Sequence, residues 1–189
     1  MKKESLFGYI ARITIVLLLI ATVVAAALAL VNKITAPVIA QATAEKTQKA
    51  ISAVLPGGYE DVISDFPDAT GLVTKVYKGQ QGYALEVTPS GFDNTITMMV
   101  GVDLAGNVLG ISIISHSESA GLGAVAAATN SAGQAFRAQF EGLSGAVSVT
   151  KDGGTVDAIT NATITSRAIC DGVNAALDCV AAMLEEVAE

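Results

Sequence analysis

A hydroxyl-rich turn leads directly into a long apolar pattern near the end of this chain. The turn is Asp157-Ala158-Ile159-Thr160-Asn161-Ala162-Thr163-Ile164-Thr165-Ser166. From Ser166 to Glu189, apolar residues recur at spacings of three and four, which places them on one face of a helix. These residues are Ile169, Val173, Ala176, Leu177, Val180, Met183, Leu184 and Val187. The pattern predicts a final helix packed on a sheet, with Thr165 or Ser166 as its N-cap.

Four segments before this turn have the composition of β-strands, because they alternate or run apolar and are rich in β-branched residues. They are residues 72–77, 82–87, 94–102 and 108–114. Turn residues between neighbouring segments predict an antiparallel meander. A short helix over 130–140, with Ala135, Phe136 and Phe140 on its buried side, and a strand over 146–150 complete the pattern. The predicted fold class is α+β, an antiparallel sheet packed with helices.

The N-terminal part of the chain predicts one membrane-spanning helix. Residues 13–32 carry no charge, and at about 1.5 Å per residue they cover roughly the 30 Å core of a bilayer. Three basic residues against one acidic residue make 1–12 the cytoplasmic flank. The alternative is a cleaved signal peptide, since Ala25, Ala27 and Ala29 offer small-residue cleavage patterns. The length of the uncharged run favours a retained anchor.

The rest of the chain is predicted to be a juxtamembrane segment and one extracytoplasmic domain. Residues 33–58 have Pro37 near their start and read as a helix and linker that ends at Pro56-Gly57-Gly58. Residues 59–189 form the domain. The part of the chain from residue 13 onward has 8 basic and 17 acidic residues, a formal charge of −9. This charge argues against nucleic acid as a partner, because no basic patch remains to neutralise phosphates.

The cysteines and the histidine do not provide a metal site. With two Cys and one His in the chain, the usual ligand sets for zinc, haem or iron–sulfur clusters are not available. Cys170 and Cys179 are nine positions apart in the final helix pattern, on opposite faces, and are predicted to be packed thiols. Redox work by this protein would therefore need an organic cofactor.

The segment before the final helix is suited to hold a phosphate. Gly153 and Gly154 are adjacent, and such glycines let backbone N–H groups approach an anion. The helix start that follows adds free N–H groups and a favourable dipole. A phosphate carried on Thr163 would lie in this field. Taken alone, the same turn is also typical of an ordinary hydroxyl-rich N-cap.

The turn resembles the flavinylation motif of the FMN-binding domain family. That motif has an Asp, then Ser/Thr-Gly-Ala-Thr, then further Thr and Ser, and its last tetrapeptide Thr carries FMN through a phosphoester bond. The resemblance implies covalent FMN on Thr163. It implies a cofactor-binding turn made of Asp157, Thr160, Asn161, Ala162 and Thr165, in which Asp157 hydrogen-bonds the turn or helps bind the enzyme that installs the flavin. Asn161 stands where the family usually has Gly, and Asn tolerates the positive φ of such a turn.

A second segment, His116-Ser117-Glu118-Ser119-Ala120-Gly121-Leu122-Gly123, resembles the family's His-x-Glu-Thr-Pro-Gly-Leu-Gly loop, which lies against the isoalloxazine ring. Ser119 and Ala120 replace the usual Thr-Pro. The resemblance implies an orienting or packing role for His116, a bracing or hydrogen-bonding role for Glu118, and close backbone contact at Gly121, Leu122 and Gly123. A third match, Gly91 to Asp103, resembles the strand that precedes this loop and is expected mainly to be core.

The three matches occur in the family's order. A short chain with a single anchor is most similar to the G subunits of Rnf-type ion-translocating ferredoxin:NAD oxidoreductases, and the C subunit of the sodium-pumping NADH:quinone reductase is the alternative. The resemblance implies an electron carrier rather than an enzyme by itself. Its implied partners are the other membrane proteins of the complex, a flavin transferase and membrane lipid. The non-redox alternative is a flavin-free, membrane-anchored binding or sensor module.

Overall fold

The structure, a computed structural model, describes residues 6–188 and the side chains of residues 8–185. The chain divides into two compact units, Met1–Glu45 and Lys46–Glu189. Helix α1 (Leu6–Val54) runs through the first unit and ends in the second.

Helix α1 is one continuous helix, where the sequence predicted an anchor and a separate juxtamembrane segment. Pro37 lies inside it without ending it. The helix is long and apolar enough to cross a membrane, with a mean hydropathy of 2.9 in its apolar window, and the side chains of residues 8–45 are largely exposed. An exposed apolar surface of this kind is typical of a membrane span. The helix ends just before Pro56, as the sequence predicted, and Gly57 and Gly58 have positive φ.

The second unit contains a five-stranded antiparallel meander with strand order β1-β2-β3-β4-β5. The strands are β1 (Asp61–Ile63), β2 (Val73–Lys78), β3 (Gly82–Val87), β4 (Thr97–Asp103) and β5 (Val108–Ser115). The four predicted strands and their antiparallel order are confirmed. The sequence missed β1, because three largely exposed residues carry no alternating pattern. Strand β4 begins later than predicted, because Asn94 closes a turn by accepting a hydrogen bond from Gly91 N–H.

Helices cover both faces of the sheet. On one face, α3 (Thr163–Ala188) packs on the middle strands, and Ile169 and Val173 are buried with Leu85 and Val100. On the other face, the last turns of α1 bury residues against Tyr77, Ala84 and Met99; these residues are Ala50, Ile51, Val54 and Leu55. Strands β3 and β4 are therefore buried on both faces, which explains their nearly continuous apolar sequence. The α+β fold class is confirmed.

Helix α2 (Ser131–Ala138) confirms the predicted short helix and corrects its buried side. Phe136 and Phe140 are buried and stack edge to face, whereas Ala135 is exposed. The buried residue that completes this side is Gly133, three positions before Phe136. A side chain at this glycine would collide with the backbone carbonyl of Ala128, so α2 approaches its neighbour too closely for a larger residue.

The strand predicted over residues 146–150 is wrong. Val149 forms only an isolated parallel bridge with Val156, and Thr150–Asp152 is a single 3-10 turn. Gly153, at φ 86°, reverses the chain after this turn, so the segment pairs with the residues that follow it instead of joining the sheet.

The predicted N-cap of the final helix is also wrong. Helix α3 begins at Thr163, and the carbonyl of Ala162 already accepts the N–H of Ser166. Thr165 and Ser166 lie buried in the first turn instead of preceding it. Their hydroxyls bond elsewhere: Thr165 donates to Glu118, and Ser166 donates to the Ala162 carbonyl and accepts from Ile159 N–H.

Candidate cofactor site

A cleft of about 340 Å³ opens beside the start of α3. Four segments line it: the loop before β4, the loop after β5, the 3-10 turn at Thr150–Asp152, and residues 161–165. Its volume lies in the range of roughly 300–1,000 Å³ that ligand sites occupy. Three other parts of the sequence thus meet at residues 161–165, which belong to the hydroxyl-rich turn before α3.

The turn into α3 depends on Asn161. Its φ is 61°, and within residues 6–188 it is the one residue other than glycine with positive φ. The left-handed conformation costs most residues about 1–2 kcal/mol, whereas Asn adopts it readily. The turn is closed by the hydrogen bond from Ala162 N–H to the Ile159 carbonyl, at 2.9 Å. Thr163 is thereby presented as the first residue of the helix.

The hydroxyl of Thr163 faces a cation in the cleft. The ammonium of Lys151 donates to Thr163 Oγ1 at 3.2 Å. The neighbouring Asp152 pairs with Arg167 through two bonds, of 2.6 Å from Nε and 2.7 Å from Nη2. The Arg167 hydrogen bond lowers the pKa of Asp152 below its usual value. This exposed pair ties the 3-10 turn to the first turns of α3, which holds Lys151 near Thr163.

Glu118 joins the walls of the cleft. Its side chain is buried, at 7% exposure. One carboxylate oxygen accepts the backbone N–H groups of Phe92 and Asp93, at 2.9 and 3.3 Å, and the other accepts the hydroxyl of Thr165. A side chain at Gly123 would collide with Glu118 and Thr165, so this wall requires glycine.

Apolar side chains are exposed around the cleft. Phe92, Leu122 and Ile164 are 64%, 40% and 51% exposed, and all three line it. In the described part of the chain beyond α1, three further large apolar residues are exposed, at Tyr59, Val62 and Leu104. Half of these six large exposed apolar residues therefore lie at one cleft. Such a concentration marks a binding surface rather than random exposure.

The structure brings most of the predicted site residues together. Seven of them line the cleft: Glu118, Leu122, Gly123, Asn161, Ala162, Thr163 and Thr165. Three others, Gly121, Asp157 and Thr160, line an adjoining depression of about 610 Å³. His116 lines neither space, and its Nδ1 is buried without a hydrogen-bond partner among the described residues.

Asp157 does not hydrogen-bond the turn through its carboxylate within residues 6–188. Its backbone N–H donates to the Gln139 side chain at 2.7 Å, and its carbonyl accepts from the same amide at 3.3 Å. The carboxylate itself is on an exposed residue. Gln139 therefore fixes the backbone at Asp157 and leaves the charge to solvent.

Four cleft residues were not predicted from the sequence: Phe92, Ser119, Lys151 and Ile164. The sequence could have predicted Lys151 as a site residue, because it begins the Lys-Asp-Gly-Gly stretch before the turn. It could also have predicted Phe92, since this residue follows Gly91 at the start of the third family match. Ile164 and Ser119 lie inside quoted motifs and carry no distinctive chemistry of their own.

The cleft fits FMN in its chemistry. Its polar end has a hydroxyl, an ammonium group and the first turn of α3, whose N–H groups have no acceptor inside the helix. Such an end suits a phosphate. The exposed apolar side chains of Phe92, Leu122 and Ile164 also line the cleft, which suits a flat aromatic ring system.

Comparison with known proteins agrees with this chemistry. Residues 91–178 match the FMN-binding domain family. The chain is 33% identical to the G subunit of the ion-translocating oxidoreductase complex of Methanosarcina acetivorans, over 92% of this chain and 95% of the relative. The chain belongs to this G-subunit family.

Two further relatives in the G-subunit family have names that specify the complex. The chain is 30% identical to the G subunit of the Na⁺-translocating ferredoxin:NAD⁺ oxidoreductase complex of Acetobacterium woodii, over 86% and 87% of the two chains. It is 35% identical to the G subunit of the proton-translocating ferredoxin:NAD⁺ oxidoreductase complex of Clostridium ljungdahlii, over 54% and 57%.

Membership of the G-subunit family confirms the resemblance that was inferred from the residues. The FMN-binding domain match spans all four segments that line the cleft, so FMN is the cofactor of this domain. The long apolar helix α1 and the family together give the protein a membrane location.

Proposed function

We propose that this member of the G-subunit family is a membrane-anchored electron carrier whose FMN is attached covalently to Thr163. It works in an ion-translocating ferredoxin:NAD⁺ oxidoreductase complex, beside the other membrane proteins of that complex. The observation that carries the proposal is the Thr163 hydroxyl, which lines the cleft at the start of α3 with the Lys151 ammonium 3.2 Å away. The names of the relatives support membership of such a complex and favour the G subunit over the C subunit of the sodium-pumping reductase.

Attachment exchanges one phosphorus–oxygen bond for another. The Thr163 Oγ bonds to the flavin phosphorus of a flavin dinucleotide, whose pyrophosphate bond breaks so that AMP leaves. The hydroxyl proton passes to a base of the flavin transferase or to water. Asp157 and Thr160 are exposed outside the cleft, where the transferase can contact them while Thr163 reacts. No oxidant or reductant is needed for this step.

The residues of this chain hold the two ends of the cofactor differently. Lys151 and the N–H groups at the start of α3 would hold the phosphate. Phe92, Leu122 and Ile164 would pack on the ring system and reduce the access of water to it. FMN, when bound, supplies one- and two-electron transfer, while the protein sets its position and potential.

The anchor keeps the carrier beside its partners. Residues 1–12 are cytoplasmic by their basic charge, residues 13–32 span the lipid, residues 33–58 link the span to the domain, and residues 59–189 form the extracytoplasmic domain. A covalent bond suits such a domain, because a dissociable cofactor would be lost from the cell surface. Confinement to the membrane plane raises the encounter frequency with the rest of the complex.

The test is covalent flavin in the full-length protein co-expressed with a flavin transferase. We expect Thr163→Val to abolish fluorescence that survives denaturation, and the FMN mass increment, because it removes the attacking oxygen. Among the described residues the Thr163 hydroxyl is bonded to the exposed Lys151 ammonium, so its loss should lower the free energy of unfolding by only about 1 kcal/mol.

Two matched variants control for folding. Thr163→Ser keeps a hydroxyl and should retain flavin, and Thr129→Val removes an exposed hydroxyl outside the cleft and should also retain it. Flavin that persists on Thr163→Val, or maps to another residue, would defeat the assignment. A colourless wild-type protein of unmodified mass would favour the flavin-free binding module.

A further inference from the structure

The buried carboxylate of Glu118 is the charged group in the cleft that the attachment chemistry does not use. It receives three hydrogen bonds from two other segments: two from the N–H groups of Phe92 and Asp93, and one from the Thr165 hydroxyl. Its side chain is 7% exposed and lines the cleft. Hydrogen bonds within the protein therefore hold the Glu118 carboxylate in place, and little of it is in contact with water.

The Glu118 carboxylate is held by neutral groups. One oxygen accepts the backbone N–H groups of Phe92 and Asp93, and the other oxygen contacts the Thr165 hydroxyl. Among residues 8–185, no lysine, arginine or histidine pairs with it within 4.0 Å. The negative charge is therefore held by neutral donors alone, in a place where water screens it weakly.

We propose that Glu118 lowers the reduction potential of the FMN held in this cleft. The inference rests on the proposed function. Reduction adds electrons to the ring system, and a fixed negative charge in the same cleft disfavours that added charge. Lys151 also lines the cleft and has the opposite charge, but it is exposed and lies beside Thr163, where the FMN phosphate would neutralise it. The charge of Glu118 is therefore the one in the cleft that no opposite charge neutralises.

The direct test is Glu118→Gln in the full-length flavinylated protein. The amide oxygen still accepts from the N–H groups of Phe92 and Asp93, and the amide nitrogen donates to the Thr165 hydroxyl, so the shape is kept while the charge is removed. The midpoint potential of the attached flavin is measured by dye equilibration. We expect the ratio of reduced to oxidised flavin at a fixed potential to rise at least tenfold, which is about 30 mV for a two-electron couple.

Asp93→Asn is the matched control. Asp93 also lies beside the cleft residues, where it accepts the Ser119 hydroxyl at 2.8 Å, but it is exposed. Water screens a charge at this position, so its removal should change the ratio by less than threefold. A potential of Glu118→Gln that equals that of wild type or of Asp93→Asn would overturn the proposal.

Thr165→Val distinguishes an effect of the Glu118 charge on the flavin potential from an effect of altered structure. It removes one donor and leaves the carboxylate less neutralised, so the potential should fall, opposite in sign to Glu118→Gln. A purely structural role would move both variants in the same direction. If Glu118→Gln does not fold, the potential of Thr165→Val is the deciding measurement: a lower potential supports the proposal, and an equal or higher one overturns it.

The outcomes for the two proposals are distinct. Wild-type protein without covalent flavin would defeat the proposed function, whereas fully flavinylated Glu118→Gln protein with an unchanged potential would defeat only this inference.

Discussion

Replacing Lys151 by Met tests the electrostatics of the attachment site. Met keeps the length of the apolar stem and removes the charge that lies 3.2 Å from Thr163 Oγ1. We expect attachment of flavin to become slower, because the ammonium no longer stabilises the phosphate that is transferred to this oxygen. The fold should be unaffected, since the Asp152–Arg167 pair holds the 3-10 turn independently.

The size of the effect follows from the distance and the exposure. A phosphate on Thr163 Oγ1 places its charge about 4 Å from the ammonium, where a pair of unit charges interacts by about 1 kcal/mol in water and about 4 kcal/mol near a protein surface. Lys151 is exposed, so the lower figure applies. About 1 kcal/mol corresponds to a roughly fivefold change in rate.

The assay follows the rate at which a fluorescent, denaturation-resistant band forms when apo-protein is mixed with transferase and a flavin dinucleotide. Lys151→Met should react about fivefold more slowly than wild type, and its rate should depend less on salt. Lys151→Arg keeps the charge and should remain close to wild type. Lys78→Met removes an exposed lysine from β2, outside the cleft, and should have no effect. An unchanged rate for Lys151→Met, or an equal loss for Lys78→Met, would refute the reasoning.

Two further predictions concern stability and thiol chemistry. Asn161→Ala should lower the free energy of unfolding by about 1 kcal/mol, because Ala resists the left-handed conformation, while Asn161→Gly should stay within about 0.5 kcal/mol of wild type. Urea denaturation in detergent measures both values. Equal free energies of unfolding for the two variants would contradict the claim that the turn needs a residue that tolerates positive φ at position 161. Burial raises the pKa of Cys170 to about 12 and of Cys179 to about 11, so both thiols should react slowly with iodoacetamide at pH 8 until the protein is unfolded. Unfolded thiols ionise first, near pH 9, so the free energy of unfolding should fall as the pH rises from about 9 to 12; stability that is constant across this window would contradict the burial of the thiols.

Local pattern was sufficient for the regular elements. The spacing of Ile169, Val173 and the later apolar residues predicts α3, because a helix has to bury one face. The runs over 82–87 and 108–114 predict β3 and β5 in the same way. The pattern failed where an element is defined by its neighbours: β1 is three residues long and exists because it pairs with β2, and residues 146–150 have strand composition but no neighbouring strand to join.

In the candidate site, too, local sequence predicts some features and contacts between separate elements decide the others. The sequence alone determined that Thr163 follows a turn able to hold positive φ and lies close to the start of a helix, since both properties depend on adjacent residues. That the helix begins at Thr163 itself, and not after Thr165 or Ser166, was decided by the structure. The tertiary structure decided which side chains face that hydroxyl. Lys151 is twelve positions away and Glu118 is forty-five, and the contacts that bring them to the cleft run through the Asp152–Arg167 pair and the Thr165 hydroxyl. Such contacts depend on how separate elements pack, and a one-dimensional pattern records spacing but not packing.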